Sequence, residues 1–211
     1  AAVNTNGAFV ESFQLDDGTN LLLPRGYYDT NDGRKLRGTH ICLPNFGSAP
    51  TESGLRQHGF GRELPWQTGT VKDTYVLMNL AIPADGLDGV PLEYAGLEST
   101  VRYDFARFLT GARFSILLML TNKGTSPMHV APGFHPYFPV VNGADTLTVS
   151  ESESVEFRAP IAELPGSHYG MLETPGKPVD VSIGGMAVRI QSSINMQGLV
   201  CWSDAANDYV C

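Results

Sequence analysis

Cysteine is scarce. Cys42, Cys201 and Cys211 are the only three in 211 residues, and no CxxC or Cys/His spacing joins them. That excludes a disulfide framework or a structural zinc site and leaves free thiols, with the cytoplasm as the expected location. Charge is thin as well, at 17% of residues against roughly 25% in an ordinary soluble domain. The net balance is −8, which argues against nucleic acid and anionic lipid, both of which are bound through dense basic surface. The longest apolar run, Ile116 to Leu120, is far shorter than the roughly 20 residues of a bilayer-spanning helix. No membrane partner is expected. The start, Ala1 to Phe9, has neither a basic leader nor an apolar core, so no targeting segment is expected. The five histidines form no HxH or HxxxH pair, and neither a metal nor another cofactor is implied.

Helical periodicity is missing too, and turn formers take its place, with 23 glycines and 14 prolines. From Ser99 to Ala106 the apolar period is two, placing Val101, Tyr103 and Phe105 on one face. Arg113 to Thr121 reads as its hairpin partner across the turn Leu109–Ala112, and its apolar run predicts burial on both faces. Further strands are expected at Phe9–Leu15, Asn20–Leu23, Thr74–Ile82, Thr146–Ser150, Ser154–Phe157, Met186–Gln191, Gly198–Trp202 and Asp208–Cys211. Turn pairs such as Asp17-Gly18 and Asn142-Gly143 separate many of them. Thr39–Trp66 and Pro160–Pro178 read as long loops. These features predict one all-β domain over residues 1–211, an antiparallel sandwich or barrel with little helix.

Two of the loop-like segments carry chemistry. The first runs Arg37-Gly-Thr-His-Ile-Cys-Leu-Pro-Asn-Phe-Gly and continues to His58-Gly-Phe-Gly-Arg62-Glu-Leu-Pro-Trp66. The second is Gly133-Phe-His135-Pro-Tyr-Phe138. Histidine exchanges a proton near neutral pH, and aromatic faces stack on the C–H surface of a sugar ring. From residue chemistry alone each such histidine is more often a hydrogen-bonded packing residue than a catalytic one, and His40, His129 and His168 are read that way. Trp66 and Trp202 can stack on sugar or fill a core. Between Gly33 and Arg62 the bases Arg34, Lys35, Arg37, Arg56 and Arg62 face only Glu52, which suits either a phosphate or a solvated loop.

Together the motifs His-Gly-Phe-x-Arg…Trp, Arg-Gly-Thr…Pro-x-Phe-Gly and Gly-x-His-x-Tyr-Phe resemble the aldose 1-epimerase (galactose mutarotase) superfamily. The first segment is most similar to its hexose-6-phosphate 1-epimerase branch. The resemblance runs from about Phe9 to Val200-Cys-Trp-Ser-Asp204 and Cys211. It implies a large antiparallel β-sandwich (the galactose mutarotase-like supersandwich) and an isomerase acting on a hexose or hexose 6-phosphate. It makes His135 the general acid for the ring oxygen and His58 the group that holds and polarises the sugar there. Arg62 and Arg37 would line the substrate site; from their own chemistry Trp66 and Asp204 are further candidate substrate contacts, although an Asp that starts a turn is commonplace. The family's general base is a glutamate in a C-terminal Glu-Pro pair, and these 211 residues contain no Glu-Pro. The expectation is therefore that the chain lacks its C-terminal segment. The main rival is a non-catalytic carbohydrate-binding sandwich, and the next a domain in which the histidines only pack. The preferred sugar and the oligomeric state are not specified by the sequence.

Overall fold

The computed structural model describes residues 1–23, 38–139, 146–151, 155–160, 169–172, 176, 178–183, 186–196, 198–201 and 209–211. Strand takes 51% of the described residues and helix 4%, as the period-two pattern requires. The chain divides into two units, Ala1–Thr19 with Pro24–His135, and Asn20–Leu23 with Pro136–Cys211.

The first unit holds two four-stranded sheets. One has the order β1 (Ala2–Asn4), β2 (Phe9–Ser12), β3 (Thr39–Cys42), β8 (Gly133–Pro136). The other runs β4 (Gln67–Lys72), β5 (Tyr75–Ala81), β6 (Leu97–Phe108), β7 (Gly111–Asn122). The β6–β7 hairpin is a 12-residue antiparallel ladder from Leu97↔Asn122 to Phe108↔Gly111, turning at Leu109-Thr110. As the alternation demands, Val101 and Tyr103 are buried and face the first sheet. There the Tyr103 hydroxyl donates to the Ala8 carbonyl at 2.6 Å, and Phe13 meets Phe105 edge-on at 5.2 Å. Face-to-face packing of these inner rows forms the core.

Several expectations are corrected here. The run Ile116–Leu120 is not buried on both faces. Leu117 and Met119 are about half exposed, because they stand opposite Arg102 and Thr100 on the outer face of the sheet. That face is polar, with Arg102 forked onto Asp104 at 2.7–3.0 Å and its guanidinium 4.2 Å from the Tyr75 ring. Thr39–Trp66 is not loop throughout, since Thr39–Cys42 is a fully buried strand. The second histidine segment lies on strand β8, not on a loop. Asn20–Leu23 is not a strand; Leu22 and Leu23 are buried, and the Leu23 N–H donates to Tyr137 O at 2.8 Å.

In the second unit β9 (Phe138–Pro139) pairs with β16 (Tyr209–Val210). β10 (Thr146–Glu151) lies between β11 (Val155–Pro160) and β13 (Pro178–Ile183), and β13 pairs with β14 (Met186–Gln191). β12 (Tyr169–Leu172), inside the stretch expected to be loop, pairs with β15 (Leu199–Cys201). The β13–β14 ladder sets Asp180 opposite Arg189, and the two form a bidentate surface pair at 2.6 and 2.8 Å. No helix among the described residues is long and apolar enough to cross a membrane.

Candidate functional site

The site lies in the first unit and is organised around the segment Leu43–Gly47. On one side the Leu43 carbonyl accepts from the N–H groups of Phe60 and Gly61, both at 2.8 Å. On the other, Phe46 N–H donates to Ala131 O and Ala131 N–H to Pro44 O, each at 2.7 Å. One short segment thus ties the chain before His135 to the chain after His58. Glycine is required where these backbones touch. A Cβ on Gly59, at φ +67°, would stand 2.1 Å from Leu43 O, and one on Gly133 would stand 2.7 Å from the Phe46 ring.

His58 itself has φ +64°, an uncommon conformation that histidine tolerates better than most side chains. Its N–H donates to Gly47 O at 2.8 Å, and its Nδ1 accepts from Gly47 N–H at 3.0 Å. The neutral ring therefore carries its proton on Nε2.

Three imidazoles meet here. The His58 and His135 centroids are 5.1 Å apart with planes at 88°. His40 stacks on His135 at 4.9 Å and 16°. Phe46 stands 5.2 Å from His58 and 6.2 Å from His135 and is 37% exposed. Arg62 is buried, donates to Gln57 O at 3.1 Å, and is near enough to act electrostatically on both catalytic candidates. Burial, then Arg62, pushes His58 down to about 4. Burial, then the charges of His58 and Arg62, pushes His135 down to about 3. Both rings are neutral at pH 7 as they stand. Cys42 is a buried thiol pushed up to about 12 by burial, so it is inert as a nucleophile.

The histidines foreseen as site residues, His58 and His135, are together, with Arg62 beside them. Trp66 is corrected. It is 2% exposed and its indole N–H donates to Gly61 O at 2.8 Å, so it packs and offers no face to a ligand. Arg37, Asp204, Trp202 and His168 lie outside the described residues. Of the basic cluster, Arg34 and Lys35 also lie outside them, and exposed Arg56 is paired with Glu63 at 2.5 Å. His129 is exposed. His40 does pack, as expected of it, but its packing partner is His135. Phe46 was missed as a site residue, although its Asn-Phe-Gly context was in view. No group of three or more His, Cys, Asp or Glu side chains suited to a metal occurs among the described residues. A cavity of about 660 Å³ in the same unit, lined by Val3, Phe13, Val76, Met78 and Phe105 among others, includes none of the histidines.

Residues 1–183 match the family model of aldose 1-epimerase. No curated protein matches the sequence significantly. Among solved structures the chain is similar to a galactose mutarotase-like protein from Lactobacillus casei ATCC 334, with TM-score 0.76 and 17% identity over 99% of this chain and 81% of that one. It is also similar to a galactose mutarotase related enzyme from Lactobacillus acidophilus, with TM-score 0.76 and 16% identity over 99% of this chain and 79% of that one. At such identities the likeness speaks for the fold, an all-β sandwich of the mutarotase type.

Proposed function

The chain belongs to the aldose 1-epimerase family, and from that premise we propose that it interconverts the α and β anomers of a hexose by acid–base opening of the ring. The observation that carries this reading is the contact of His58 and His135, two imidazoles from separate segments with centroids 5.1 Å apart. Opening the hemiacetal moves the O1 proton to a base and a proton onto O5. The C1–O5 bond breaks, C1 turns about C1–C2, and closure on the other face reverses both transfers. Positioned groups contribute about 10²–10⁴-fold each to such transfers, so no metal or organic cofactor is called for.

In this reading His135 gives the proton to O5. His58, its proton fixed on Nε2, donates a hydrogen bond near the same oxygen, and the Arg62 guanidinium stabilises charge as it develops. Phe46 offers an apolar face beside them. For His135 to act as the acid, a neighbouring carboxylate must hold a proton on its ring at neutral pH. The family's general base is a glutamate carboxylate, and its arrival would raise His135 towards the range where it holds a proton. The same carboxylate would then take the O1 proton and charge the acid.

Polarimetry of freshly dissolved α-glucose and α-galactose tests the proposal. Protein-dependent acceleration of mutarotation is expected, and sugar binding without acceleration would favour a carbohydrate-binding module instead.

A further inference from the structure

Adjacent strands β2, β3 and β8 carry Phe9, His40 and His135, and the three rings form a row across the sheet. Phe9 and His40 are 3% and 1% exposed, their centroids 5.1 Å apart at 40°, and His40 lies nearly parallel to His135 at 4.9 Å. An imidazole at the end of such a row is not free to turn about its ring bond. One face of His135 rests on His40, and His58 meets it at 88°. Stacking on His40 therefore fixes the plane in which the His135 nitrogens lie.

We propose that His40 is the positioning residue for His135: its buried ring is the plate that fixes the plane of the acid's imidazole, acting through stacking rather than by touching the sugar. The inference rests on the reading of His135 as the proton donor to the ring oxygen. Proton transfer is sensitive to placement, and misplacement by about 1 Å can cost on the order of 100-fold in rate. Removing the plate should therefore lower kcat and leave KM nearly alone, because no contact with substrate is lost. An aromatic ring at position 40 should supply the same support.

The test compares His40→Leu and His40→Phe with the unaltered protein, by anomer-exchange kinetics and by the imidazole carbon-bound proton resonances of His135. Melting curves confirm that each variant is folded. His40→Leu is expected to lose about 10- to 100-fold in kcat with KM within about twofold, and to release the ring-current shift of the His135 protons. His40→Phe is expected to restore kcat to within about threefold and to keep a ring-current shift. Full activity in His40→Leu would overturn the proposal. So would a His40→Phe that is folded yet as slow as His40→Leu, since stacking would then not be the means. If the unaltered protein exchanges no anomers, the proposed function fails, and the His135 resonances alone decide whether His40 positions that ring.

Discussion

Gly47 and His58 hold each other twice: the His58 N–H donates to the Gly47 carbonyl at 2.8 Å, and the Gly47 N–H donates to His58 Nδ1 at 3.0 Å. The first bond closes the turn that brings His58 beside His135. The second decides which nitrogen of the ring is protonated, and so makes the side chain a donor towards the site.

That turn sets His58 at φ +64°, a conformation costing about 1–3 kcal/mol for an ordinary side chain. Asparagine tolerates it, whereas a β-branched residue does not. His58→Asn should keep its melting temperature within a few degrees of the unaltered protein, and His58→Val should fall clearly below it. Calorimetry checks this, and equal melting temperatures for the two variants would refute the strain.

Acid should destabilise the fold through the same cluster. His58 and His135 are pushed down from 6.5 to about 4 and about 3 respectively, in both cases chiefly by burial. Between those values and 6.5 the unfolded chain binds more protons than the folded one. The stability involved is fully present above pH 6.5 and is lost as pH falls through 4 towards 3. The melting temperature should drop between pH 6.5 and 4, and a His58→Asn, His135→Asn double variant should drop by several degrees less. Parallel pH curves would contradict the assignment.

Trp66→Phe should leave the Gly61 carbonyl without its donor and cost about 1–2 kcal/mol, with sugar affinity unchanged. A binding titration that weakened tenfold at constant stability would return Trp66 to the substrate site.

Of the five bases that suggested a phosphate, the two within the described residues already have partners. Arg56 is paired with Glu63, and Arg62 is buried with the histidines. A neutral hexose should be turned over with kcat/KM at least equal to that of its 6-phosphate. A preference for the phosphate above tenfold in direct competition would reverse this.

The β6–β7 hairpin was legible because Val101, Tyr103 and Phe105 alternate with polar residues, and a period of two has only one buried face to serve. Its partner misled because an apolar run looks the same whether one or both faces are covered, and Leu117 and Met119 proved to be on the open one. Strands β3 and β8 were hidden for another reason. Each is four residues long among glycines and prolines, and Thr39–Cys42 is buried throughout, so it shows no alternation. The pairing of His58 with His135 came from motif resemblance; no spacing announces it. His40 escaped because its role depends on which strand lies next to β8. Trp66 suits a sugar face or a core by residue type, and only its N–H donation to Gly61 O marks it as packing.

His135 is the proposed carrier of the proton that reaches the ring oxygen. Saturation transfer between the α and β anomeric protons of a hexose, measured with the unaltered protein and with His135→Ala at equal occupancy, tests it most directly. Enhanced exchange is expected in the first and a loss of at least about 100-fold in the second. Equal exchange rates in a folded, sugar-binding His135→Ala would contradict it.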